Sequence, residues 1–149
     1  MLPCEAAERI SIHRIATSER DRTAADLMID IPTIPVDGCV QDAAVKLVGA
    51  SSPILGVVSK EGELVGVVTE WDITRATAMG SPDDQPLEQV MSREVISAAP
   101  TETILEVTRK LEYHEISAMP VVDGASVIGM ITADLLARRS LLKLLQSEL

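Results

Sequence analysis

Phenylalanine is absent from this sequence, and the aromatic residues come down to Trp71 and Tyr113. Single-strand nucleic-acid binders stack bases on aromatic rings, so that class lacks its platform here. Cationic side chains are also short: 13 Lys and Arg face 23 Asp and Glu, a net charge of −10. Such a surface repels a phosphate backbone, and no nucleic-acid partner is expected. The two cysteines, Cys4 and Cys39, lie far apart without a C-x-x-C. They read as free thiols in a reducing compartment. His13 and His114 have no neighbour at metal-ligand spacing, so no metal site is expected. Apolar runs are only a few residues long, far short of the ~20 that span a membrane. The start, "MLPCEAAERISIHR", carries charges where a signal peptide has its apolar stretch. A cytoplasmic protein with no membrane partner is expected. No Ser-His-Asp or Cys-His arrangement and no paired acid and base stand out, so an enzyme is not expected.

What the sequence does have is aliphatic mass. Hydrophobic residues make up 46%, and without aromatics the core must be Val, Ile, Leu, Met and Ala. That suits a sheet covered by helices.

It also has a repeat. "AADLMIDIPTIPVDGCVQDAAVKLV" matches "LEQVMSREVISAAPTETILEVTRKL", and "ILGVVSKEGELVGVVT" matches "AMPVVDGASVIGMIT". Met28 falls on Met91, Thr33 on Ser97, Val40 on Ile104 and Leu47 on Leu111; Gly56 falls on Pro120, Gly66 on Gly129 and Thr69 on Thr132. The offset moves between 63 and 64, which places single-residue indels in turns. Two copies of one unit are the main architectural signal.

Each copy reads locally as a short strand, helix, strand, strand and helix. "VQDAAVKLVGA" places Val40, Ala43, Ala44, Leu47 and Val48 at helical spacing, with Asp37 upstream as a cap. "ILGVVS" and "LVGVVT" are β-branched runs around Lys60-Glu61-Gly62, a hairpin. "WDITRATAM" is a helix up to Gly80. In the second copy "ILEVTRKLEYH" is a helix, "MPVV" and "SVIGMIT" are strands around Asp123-Gly124, and "ADLLARRSLLKLLQSEL" closes the chain as a helix. The boundaries are an N-terminal extension over 1–23, a first unit over 24–79, a turn-rich linker over 80–86 and a second unit over 87–146. Neither unit alone is large enough for a good core, so they should pack on each other. Ile10, Ile12 and Ile15 in the extension suit a further element against the module or a partner.

"GVVTEWDITRA", residues 66–76, holds the candidate chemistry. Thr69-x-x-Asp72 has the spacing of a capping box. A helix N-terminus also favours phosphate, a Thr hydroxyl can donate to it, and an aspartate one turn in suits a ribose diol. Capping and ligand binding both fit these residues. Arg75, one turn further, adds charge to the phosphate end or is a solvated arginine.

Two units in register, each ending in Gly-apolar-apolar-Thr before an acid and a helix, resemble a tandem pair of CBS (cystathionine β-synthase) domains, a Bateman module. The Met of "DLM" and "QVM" and the upstream Thr33 and Ser97 strengthen the resemblance, which covers about residues 24–146. It implies an α/β (α+β) fold of two β-α-β-β-α repeats packed pseudo-symmetrically. It implies a regulatory or sensory module without catalytic activity, often a homodimer. Its ligand is an adenosine compound held between the domains: AMP, ADP or ATP, with S-adenosylmethionine or NAD as further forms. By that resemblance Thr69 meets phosphate and Asp72 ribose, while Thr33, Ile54, Leu55 and Gly56 form the base slot of a first site. Gly56 departs from the Pro usual there. A second site would use Ile96, Ser97, Ala118, Met119 and Thr132. There Asp134 comes two residues after Thr132, and the expected position holds Leu135. Asp134 is then a helix cap or a substitute ligand, and the first site is expected to be the stronger.

Trp71 sits between polar neighbours and suits a dimer contact. The leucines of the closing helix (Leu135, Leu136, Leu141, Leu142, Leu144 and Leu145) suit core packing first and a dimer face second. The alternative to ligand sensing is a ligand-free dimerisation or docking module whose clefts its own side chains close.

Overall fold

The chain was analysed as a computed structural model, which describes residues 19–147. The expectations for Cys4, Ile10, Ile12, His13 and Ile15 lie outside those residues. In the first half, α1 (Ala24–Leu27) leads to β1 (Thr33–Pro35), α2 (Val40–Ala50), β2 (Ile54–Val58), β3 (Leu64–Thr69) and α3 (Glu70–Ala78). After a 3-10 turn at Leu87–Gln89, the second half runs α4 (Ile104–His114), β4 (Ala118–Asp123), β5 (Ser126–Thr132) and α5 (Ala133–Ser147). The fold is thus mixed α/β in two repeats.

The first sheet has the order β1-β2-β3, with β1 parallel to β2 and β2 antiparallel to β3. The second keeps the β4-β5 hairpin, but its first strand shrinks to one parallel bridge between Ala98 and Val121. Both hairpins turn on a glycine with positive φ, Gly62 at 80° and Gly124 at 64°, the conformation a glycine adopts without a Cβ penalty.

Helix faces explain the two cores. In α2, Val40, Ala43 and Leu47 are buried, and Ala43 and Leu47 pack with Ile34, Leu55, Val57 and Val68. Val48 belongs to the expected stripe but is 80% exposed. In α4, Val107 and Leu111 are buried against Ala98, Met119, Val121 and Ile131. The cap of α2 is Cys39 rather than Asp37: the Cys39 N–H donates to Asp42 Oδ2 at 3.1 Å. Of the α5 leucines, Leu136 packs on the second core, whereas Leu141, Leu142, Leu144 and Leu145 stay exposed. Core packing does not account for those four.

The halves interlock. Leu87 and Met91, which open the second copy in sequence, pack in the core of the first sheet. Ala24, Leu27 and Met28, which open the first copy, pack on the core of the second. Backbone pairs fix both exchanges. Val67 and Ser92 exchange two hydrogen bonds at 3.0 and 2.9 Å, as do Ile29 and Met130 at 3.0 and 2.8 Å. The linker joins in: Gln85 and Asp83 carbonyls accept from Val40 and Gln41, satisfying first-turn donors of α2. Among the described residues, no helix is long and apolar enough to cross a membrane.

Candidate functional site

β3 ends at Thr69 and α3 begins at Glu70, because Thr69 and Asp72 close a reciprocal cap. Thr69 Oγ1 accepts from the Asp72 N–H at 3.1 Å, and Asp72 Oδ2 accepts from the Thr69 N–H at 2.8 Å. The pair therefore caps the helix, a contribution of about 1 kcal/mol. It also stands at a cleft of about 460 Å³, within the range of small-molecule sites.

That cleft is built from both copies. Pro53, Ile54, Val67, Thr69, Glu70, Trp71 and Asp72 line it from the first, and Ser92, Glu94, Ile96, Glu115, Ile116, Ser117, Ala118 and Pro120 from the second. The sequence reading grouped Thr69 and Asp72 with Thr33, Ile54, Leu55, Gly56 and Arg75. Of these the structure keeps Ile54 in the cleft beside the pair, and it adds Ile96 and Ala118, which that reading assigned to a second site. The interlock is the cause, since the Val67–Ser92 pairing lays the segment before the second copy along β3.

The other candidates lie elsewhere. Leu55 and Met119 are fully buried in the two separate cores, so their side chains are committed to packing. Gly56 is buried in mid-sheet, paired with Thr33 and Val67. Thr33 and Ser97 play matching parts: their carbonyls accept from Lys46 at 3.0 Å and Lys110 at 2.8 Å. Arg75 is exposed, outside the lining, 3.5 Å from Asp72 Oδ1 and 5.8 Å from the Trp71 ring centre.

The second motif is incomplete. Thr132 Oγ1 accepts from the Leu135 N–H at 3.0 Å and so caps α5. Leu135 has no oxygen to answer with. Asp134 is exposed in the first turn, and the cap is Thr132 rather than Asp134. Where Val67 lines the open cleft, the matching residue Met130 is buried with Ile54, Ala118 and Ile31. Its sulfur lies 3.6 Å from Ser52 Oγ. A larger side chain fills the space on that side.

Sequence reasoning missed Glu70, Glu94, Glu115 and Ser117 as cleft residues. The signal was the Met repeated ahead of each copy, together with Gly66 and Gly129 on which those methionines pack.

The CBS domain family matches residues 24–78 and 87–141. The L-aspartate semialdehyde sulfurtransferase of Methanosarcina acetivorans is 41% identical over 142 residues, 89% of this chain and 28% of that protein. A homoserine O-acetyltransferase of Methanohalobium evestigatum is 38% identical over 116 residues, 76% of this chain and 23% of that protein. The chain thus spans less than a third of each of these relatives. Among solved structures, the CBS domain pair of protein MJ0100, in complex with 5′-methylthioadenosine and S-adenosyl-L-methionine, is 31% identical with a TM-score of 0.74, covering 81% of this chain and 97% of that one.

Proposed function

The chain belongs to the CBS-domain family, and we propose from that premise that it is a regulatory module binding an adenosine-containing ligand in the Thr69–Asp72 cleft. The observation that carries this reading is the cleft's double origin. Thr69 and Asp72 come from one copy, and Ile96, Ser117 and Ala118 from the other. A ligand held there touches both and favours one relative placement of the halves, which a partner can read.

The parts fit a nucleoside. Asp72 Oδ2 spends one lone pair on the Thr69 N–H; a carboxylate accepts about four hydrogen bonds, which leaves capacity for a ribose diol. Ile54, Ile96 and Ala118 supply apolar walls for a purine. The 31%-identical relative solved with two adenosine compounds supports the same class. No catalytic role is assigned to this module; the curated relatives carry far more chain than this one covers. We place the module in the cytoplasm, where adenosine metabolites are available, and assign a homodimer face to α5, where Leu141, Leu142 and Leu145 are 61%, 53% and 60% exposed.

A second reading, a ligand-free dimerisation module, draws support from Met130 closing the other side. One experiment separates the two: thermal shift with AMP, ADP, ATP, S-adenosylmethionine and NAD on the wild type and Asp72→Ala. A ligand at about 100 times its Kd adds about 2.7 kcal/mol, several degrees for a chain of this size. A shift lost in Asp72→Ala, with the apo variant only about 1 kcal/mol less stable, supports sensing. No shift with any compound supports the structural module.

A further inference from the structure

We infer that the segment ahead of Glu19 continues the helix ending at Arg20 and lays an isoleucine face, Ile12 and Ile15, on α5 of the same chain. Nothing bound in the cleft is needed for this contact.

Glu19 fixes where the segment starts. It is the first described residue, and its side chain is only 21% exposed. It accepts from Arg139 Nε and lies 3.5 Å from Lys143 Nζ. Those two cations stand one turn apart on α5. The backbone just after Glu19 is held too. The Arg22 carbonyl accepts from the Ile104 N–H at 2.7 Å, and the Ala24 N–H donates to the Glu102 carbonyl at 2.8 Å. The chain upstream therefore sets out from the edge formed by α5 and the head of α4.

Glu19 and Arg20 are helical, and the Arg22 N–H donates to the Glu19 carbonyl at 3.2 Å. Two residues make no turn alone, since a turn takes about 3.6. The sequence ahead suits the rest. Ile12, Ile15, Ala16 and Glu19 stand at i, i+3, i+4 and i+7, one face of a helix. No Pro or Gly interrupts residues 12–20. Glu19 touches α5, so the face it shares turns both isoleucines the same way. Ile10 falls on the opposite face.

α5 offers the matching surface. Leu142, three residues on from Arg139, is 53% exposed, while Leu141 and Leu145 form a separate stripe. A helix apolar on several sides needs more than one cover. From Ile12 to Glu19 a helix spans about 10 Å, as α5 does from Arg139 to Gln146. The segment thus fits the Leu142 flank. Leu141 and Leu145 stay with the dimer face proposed above.

The test is hydrogen exchange of α5 amides and thermal melting of the intact chain in three variants: Ile12→Asn, Ile15→Asn and Ile10→Asn. The first two should lower the melting midpoint by several degrees and remove protection around Leu142. Ile10→Asn, the same change on the opposite face, should do neither. Ile15→Val should keep most of both, which separates lost packing from a failure to fold. Equal effects from all three isoleucines, or α5 protection unmoved by Ile12→Asn and Ile15→Asn, overturns this inference. Protection around Leu142 that instead rises with protein concentration gives the flank to a second copy and overturns it as well.

Discussion

Met91 lies over Gly66 so closely that a β-carbon on residue 66 would stand 3.0 Å from its sulfur and 2.8 Å from the Ser92 carbonyl oxygen. Met28 stands over Gly129 in the same way, at 2.8 Å from its sulfur, with the Ile29 carbonyl at 3.0 Å. Each glycine lets the opening segment of the opposite copy lie flat on its strand. The two contacts are one device used twice, and they hold the halves in the placement that forms the cleft.

Gly66→Ala and Gly129→Ala should therefore each destabilise by about 1–3 kcal/mol, the range for forced overpacking. A methionine side chain can yield; a carbonyl fixed by the Val67–Ser92 pairing cannot without moving the strand. Gly49→Ala is the contrast. It lies in α2 with nothing within 4 Å of the added carbon, so it should stabilise by about 0.5–1 kcal/mol. Urea midpoints with unchanged slopes check all three.

The local elements were legible because their causes are local. β-branched runs around Gly62 and Gly124 became hairpins, and the spacing of Val40, Ala43 and Leu47 became the buried face of α2. The Thr69–Asp72 cap followed from two residues three apart. The grouping of the cleft was not legible. Ile96 and Ala118 meet Thr69 only because the segment before the second copy crosses to the first sheet, a pairing between residues distant in sequence with no local pattern to announce it. The α5 leucines misled for a related reason: periodicity identifies an apolar face, not what covers it.

Glu19 should make stability depend on acid pH. Burial alone would raise its pKa, but hydrogen bonding and the charges of Arg139 and Lys143 outweigh this and hold it below the ordinary glutamate value. A carboxylate lowered in the folded state stabilises above its unfolded pKa and loses that contribution as pH falls through the folded value. The wild type should thus lose about 1 kcal/mol on acidification below the usual glutamate range, on the scale of partly exposed ion pairs. Glu19→Gln should start lower near neutrality and lack that part of the slope. Melting midpoints against pH for the two proteins check it.

Ligand stoichiometry should be one per chain. Met130 occupies the side matching the open cleft, and Leu135 stands where the second ribose acid would be. Titration calorimetry should give a single set of sites at one equivalent; two equal sites would contradict the packing of Met130. Met130→Ala should not raise the count, because Leu135 still lacks a carboxylate. It should cost about 2–5 kcal/mol as a buried methionine truncation.

Trp71 offers the most direct report on the cleft. It is the single tryptophan of the chain, it lines the cleft, and it is 63% exposed. A ligand seated between Asp72 and Ala118 covers part of the indole and removes water from it, so emission should move to shorter wavelength in proportion to occupancy. Arg75 sits 5.8 Å from the ring centre, an exposed cation–π contact worth about 0.5–1 kcal/mol. Arg75→Gln should therefore change the ligand-free spectrum while keeping the ligand-induced shift, since Arg75 lies outside the lining. Asp72→Ala should lose that shift together with the calorimetric heat. Heat without any change in Trp71 emission would place the ligand outside this cleft, because a compound contacting Asp72 cannot avoid the neighbouring indole that forms the same wall.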